Sequence, residues 1–116
     1  MATIRNLTSN TILADRAEVA GRPVRRLVGL LSRRGLSTGE ALVLPRCSAI
    51  HTWFMRFPID VVFLRRKAVV AAKAAVRPFR LVWVRGADTV IELPAGTIAS
   101  AGISLKQLID IKLLIG

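Results

Sequence analysis

Fourteen consecutive residues, Cys47 to Asp60 (CSAIHTWFMRFPID), gather the scarce side chains of this chain. They hold its one Cys, its one His, one of its two Trp and one of its seven carboxylates. Thiol, imidazole and carboxylate are the groups of metal ligation and of nucleophilic catalysis. A structural zinc centre takes four ligands at Cys/His-rich spacing. Cys47 and His51 have that chemistry, with Asp60 or Glu92 as further candidates, but one Cys and one His cannot fill such a centre, so no metal and no other cofactor is expected. A Cys–His nucleophile needs the two side chains within hydrogen-bond reach. On one extended strand Cys47 and His51 share a face but stand about 13 Å apart. A bend near Ser48 is then required, and Cys47 and His51 are weak catalytic candidates.

A binding surface asks less of the same residues. If 49–56 is extended, His51, Trp53 and Met55 point one way and Thr52, Phe54 and Arg56 the other. His51, Trp53, Arg56 and Asp60 can then line a pocket or a partner surface. The competing reading is structural. A free Cys behaves as a small buried hydrophobe, the Trp-Phe-Met-Arg-Phe run is core and rim, and Asp60 steadies a turn.

Phe57-Pro58 predicts a bend, because a residue before Pro is pushed out of the helical region. Arg56 and Asp60 flank it, four residues apart, as an electrostatic brace. A second motif, Glu92-Leu93-Pro94-Ala95-Gly96, sets a carboxylate inside an apolar run. Glu92 reads either as an acid/base or anchoring group beside Asp60, or as a structural acid. In the second role it caps backbone N–H groups of the next turn or pairs with Arg56 or Arg80. The structural role is favoured, since buried carboxylates are paired.

The elements that position these residues are mostly strands. Residues 2–6 and 11–20 read as strands around a Ser9-Asn10 turn. Pro23 opens a short helix over about 23–32, with Leu27, Leu30 and Leu31 on its apolar face. Strands follow at 40–44, at 59–64 (a β-branched and aromatic run) and at 68–76. The alanines of 68–76 favour helix by propensity, but its length and flanking turns favour strand. Arg65-Arg66-Lys67 is a basic turn where a hairpin would carry Gly or Asn. Strands at 81–84 and 89–93, a helical turn at 97–101 and a strand at 107–115 complete the chain. Trp83 reads equally as core or as an exposed contact. The class is α+β and β-rich. Seven to nine short, mainly antiparallel strands form a partly open, barrel-like sheet with one short helix.

Length and composition bound the rest. The 116 residues, 53% hydrophobic, suit one domain over 1–116 and exclude a disordered chain. No apolar run is long enough for a membrane helix. The N-terminus lacks the apolar core of a secretory signal, and one Cys fits a reducing compartment, so a cytoplasmic location is expected. The net charge is +11, from 18 Lys+Arg against 7 Asp+Glu. Arg22, Arg25, Arg26, Arg33 and Arg34 form one acid-free block. Arg65, Arg66, Lys67, Lys73, Arg77, Arg80 and Arg85 form another. Such blocks are a nucleic-acid footprint when they share a face. Arg25, Arg26, Arg65, Arg66 and Lys67 are the residues that would contact it. An Arg-rich, Lys-poor composition is the bland alternative.

Both motifs resemble those of the bacterial and archaeal family called domain of unknown function (DUF) 192. The family pattern appears here as Gly29-Leu30-Leu31, Cys47 through Phe63, Val69-Val70, Pro78-Phe79-Arg80 and Ile91 through Gly96, over about residues 24–115. Two turns depart from it. Arg65 stands where the family carries Asp, and Lys106-Gln107 where it carries Gly-Asp. The resemblance implies a compact β-rich domain and brings no activity, cofactor or catalytic residue. The leading functional reading is a non-enzymatic binding or interaction module for a small-molecule or protein ligand, with His51, Trp53, Arg56, Asp60 and Glu92 as its binding residues. The alternatives are a basic nucleic-acid-binding domain and a Cys/His-dependent hydrolase or transferase.

Overall fold

A computed structural model describes residues 1–20, 36–53 and 55–114. The helix expected over 23–32 lies outside them, as does the Arg22–Arg34 block with Arg25 and Arg26. Nine strands run in chain order: β1 Ala2–Asn6, β2 Thr11–Val19, β3 Glu40–Pro45, β4 Ala49–His51, β5 Ile59–Arg65, β6 Ala68–Val76, β7 Leu81–Trp83, β8 Thr89–Pro94 and β9 Ile109–Leu113. One short helix, α1 at Thr97–Ala101, stands among the described residues. No helix among them is long and apolar enough to cross a membrane.

Seven strands form one sheet in the order β6-β5-β8-β3-β2-β1-β9, and β4 and β7 form a separate two-stranded ribbon. All pairings are antiparallel except β2 with β3. The sheet curls until its two edge strands touch at one rim, through a bridge between Ala68 and Leu108. Val69 N–H donates to the Gln107 carbonyl at 2.9 Å, and Lys106 N–H to that of Val69 at 2.8 Å. The result is a half-barrel, joined at one rim and open elsewhere.

The sheet buries both faces, which is why β5 reads as an unbroken apolar run rather than an alternating one. The concave face packs Ile4, Ala17, Val43, Val62, Leu64, Ile91 and Leu93, with Ile98 and Ile103 of the α1 region against them. The convex face packs Ile59, Val61, Phe63 and Val90, and the β4–β7 ribbon lies over it through Ile50, with Val82 and Val84 alongside.

The β5–β6 hairpin turns through Arg66 and Lys67, at φ 48° and 70°. Both central residues are left-handed, the geometry for which Gly and Asn are preferred. The turn is held from outside: Asp88 Oδ2 accepts from the Arg66 N–H at 2.8 Å, and Lys67 Nζ meets Asp110 at 3.3 Å. At the joined rim Lys106 also has positive φ (71°). Gln107 accepts through Oε1 from Ser104 N–H at 2.8 Å and from Asn6 Nδ2 at 2.9 Å.

Candidate binding site

The ribbon presents one side to the core and the other to solvent. Ala49 pairs with Trp83, Ile50 with Val82 and His51 with Leu81. Alternation turns Ile50 and Val82 inward, and turns Ala49, His51, Leu81 and Trp83 outward. Trp83 is 66% exposed, Leu81 57%, Phe79 66% and Trp53 46%, so four large apolar side chains meet water in this region. His51 stands edge-on to Trp53, with ring centroids 5.6 Å apart at 83°. Trp83 is therefore not core but exposed to solvent.

The alternation expected over 49–56 ends at His51. Met55 N–H donates to the Thr52 carbonyl at 3.2 Å, closing a turn. That turn carries Met55 into the convex-face core instead of beside His51 and Trp53. Thr52, almost fully buried, fastens the turn to the β6–β7 connection. Its hydroxyl donates to the Arg77 carbonyl at 2.7 Å and accepts from the Arg80 N–H at 2.9 Å. Its own N–H donates to the Arg80 carbonyl at 2.8 Å, and its carbonyl accepts from the Phe79 N–H at 3.0 Å. Sequence reasoning assigned Thr52, Phe79 and Leu81 no binding role, although Phe79 stands in the Pro78-Phe79-Arg80 motif and Leu81 opens the 81–84 strand.

Cys47 and His51 are not brought together. Cys47 packs inward under the ribbon, and its thiol donates to the Ala49 carbonyl at 3.0 Å. His51 faces out. The chain bends at Ser48 before the strand begins at Ala49, so the two residues do not lie along one extended strand. Among the described residues, no group of three or more His, Cys, Asp or Glu side chains is placed to hold a metal ion.

The two motif carboxylates depart from their expected roles. Asp60 is fully buried, and backbone N–H groups are its partners. Ala75 donates to Oδ1 at 2.9 Å, while Gly96 and Ile98 donate to Oδ2 at 3.1 and 2.8 Å. Gly96 has φ 95°, a conformation that lets its N–H turn toward the carboxylate and that side-chain-bearing residues resist. Asp60 therefore caps the turn expected of Glu92. Arg56 is exposed on the bend, so the Arg56–Asp60 brace is replaced by backbone donors. Glu92 pairs in register with Val61 and Leu42, and Leu93 with Asp60. Glu92 thus leaves the sheet on the convex face and Asp60 on the concave one, so the two acids do not share a site. Burial raises the Glu92 carboxyl to about 7 from 4.5. Arg65, Arg66 and Lys67 are exposed at the hairpin tip.

A DUF192 family model, described as uncharacterised ACR, matches residues 4–111. The match reaches further toward the N-terminus than the motifs alone indicate, taking in β1 and β2. The chain is 30% identical over 110 residues to a UPF0127 protein of Thermococcus sibiricus, covering 90% of this chain and 71% of that one. Two crystal structures each superpose with TM-score 0.76 at 20% identity over 94% of this chain. One is called a "putative transcription regulator" of Sinorhizobium meliloti and is 90% covered. The other is a protein of unknown function of Novosphingobium aromaticivorans, 82% covered. At that identity they establish a common fold.

Proposed function

Since the chain belongs to the DUF192 family, whose description carries no activity, we propose from its own geometry that it is a small, non-enzymatic binding module. Its contact face is the outer side of the β4–β7 ribbon, where His51 and Trp53 meet Phe79, Leu81 and Trp83. The observation that carries this reading is the exposure of four large apolar side chains around one two-stranded ribbon. Isolated exposed apolar residues are ordinary, but contiguous ones mark contact surfaces. His51 adds a polar handle, and Arg56 a charge on the neighbouring bend. Asp60 and Glu92 are buried away from this face and do not touch the partner.

The chain has two Trp and no Tyr, so its intrinsic emission reports from Trp53 and Trp83. Acrylamide quenching of that emission is measured with anionic vesicles, a single-stranded oligonucleotide and an amphipathic peptide. The reading expects protection by one of them, lost in Leu81→Ser combined with Phe79→Ser. Unprotected emission throughout the panel overturns it. A second reading, nucleic-acid binding through Arg65, Arg66 and Lys67, is favoured by their exposure at one hairpin tip. Asp88 and Asp110 sit against that tip and dilute its charge. This reading requires log affinity for the oligonucleotide to fall steeply with log salt, and a salt-independent signal removes it.

A further inference from the structure

β6 is an edge strand of the sheet. At its start it meets the Lys106–Leu108 segment, but beyond Val69 its one strand partner among the described residues is β5. β7 likewise pairs with β4 alone. Between these two edges runs an open groove of about 530 Å³, lined by Ala72, Lys73, Ala74, Ala75, Val76 and Arg77 on one side and Arg80, Leu81 and Val82 on the other. Three properties of the groove are independent of one another. Its β6 wall is a backbone edge with no second strand partner among the described residues beyond Val69. That wall is alanine-rich, so little side-chain bulk keeps a second backbone away. Every ionisable group in the lining is a cation: Lys73, Arg77 and Arg80.

We propose that this groove binds an extended, acidic peptide segment as an added strand on β6. A row of backbone N–H and C=O groups is matched by another extended backbone, and pockets beside the edge supply specificity. The cations require carboxylates on the incoming segment. Ala72 to Arg77 spans about 17 Å at the strand rise. The register of the added strand ends at a bulge, because Ala75 has φ 49° and its N–H is already given to Asp60. Past that point the segment meets Arg77 and Arg80, whose backbone Thr52 holds in place. Most natural edge strands are guarded by charge, proline or covering elements. Here Lys73 guards against a second copy of this basic chain while attracting an acidic strand. The proposal goes beyond the ribbon-face reading, since Leu81 is the single residue the two surfaces share.

The test uses a fluorescein-labelled seven-residue peptide alternating Glu and Val, titrated with the protein and followed by anisotropy. A saturable rise is expected, weakened at least tenfold by Lys73→Glu with Arg77→Glu, two exposed positions whose folding is checked by an unchanged thermal midpoint. A copy of the peptide N-methylated at every residue keeps its charges and loses all of its N–H donors; it is expected to bind at least tenfold more weakly. Trp83→Ser is expected to leave peptide binding unchanged, which separates a failure here from a failure of the ribbon face. No saturable rise, or equal binding of the N-methylated copy, overturns the proposal. So does a single-stranded oligonucleotide that displaces the peptide and depends on Lys73 and Arg77, because it assigns the groove to nucleic acid.

Discussion

Asp60 and Glu92 stand on neighbouring strands, offset by one residue in register, so they leave the same sheet from opposite faces. Both are buried. On the concave side Asp60 meets three backbone N–H groups from β6 and the β8–α1 turn. On the convex side burial alone governs Glu92, and its carboxyl is pushed up to about 7. Burial by itself thus says little about what a carboxylate does. The donors that come with it decide whether its charge organises the chain or is disfavoured. Asp60 joins segments distant in sequence, while Glu92 carries an electrostatic penalty.

The comparison breaks most readily at Asp60. Asp60→Ala orphans the N–H groups of Ala75, Gly96 and Ile98, at a cost on the order of 3–5 kcal/mol. Chemical denaturation should record that loss, and an unchanged midpoint would remove Asp60 from its structural role. The Glu92 effect comes next and depends on pH. In the unfolded chain this carboxyl ionises near 4.5, and in the fold near 7. Between those values the folded state keeps a proton that the unfolded state has released, so stability falls as pH rises through the window. The decline amounts to about 3 kcal/mol and is complete above pH 7. Glu92→Gln should abolish it, and parallel stability–pH curves for the two proteins would contradict the assignment. The smallest effect concerns Thr52, whose hydroxyl does for the ribbon what Asp60 does for the α1 turn. Thr52→Val keeps the shape and strands the Arg77 carbonyl and Arg80 N–H, costing about 2 kcal/mol. Hydrogen exchange should accelerate at the Arg80 amide, and exchange as slow as in the parent would separate Thr52 from the groove's rigidity.

Strands were legible wherever burial wrote itself into residue type. The run Ile59–Leu64 announced a strand, and the Ser9-Asn10 turn announced a strand end. The alanines of β6 were ambiguous because helix propensity is a local quantity and an edge in a sheet is not. The roles of Asp60 and Glu92 were illegible for a related reason. Which face a carboxylate takes depends on the β5–β8 register, set between segments some thirty residues apart. Met55 was assigned to the wrong side because nothing in His51-Thr52-Trp53 signals that Thr52 closes a turn. The Arg66-Lys67 reversal carried no Gly or Asn, since Asp88 supplies from a distance what turn residues normally supply locally.

The joined rim bears on how the chain reaches this structure. Leu7 N–H donates to the Leu108 carbonyl, Leu108 N–H to the Thr8 hydroxyl, and Ile109 N–H to the Lys67 carbonyl. Each of these bonds spans a large part of the sequence, and β1 finds its second neighbour only in β9. During synthesis the first strand emerges long before the last, so the rim cannot close until residues 106–113 have left the ribosome. Long-range closure of this kind slows folding. Until it happens β1 and the start of β6 present open edges, and a ribosome-bound intermediate stalled before residue 106 is the state of this protein most exposed to mispairing with other chains.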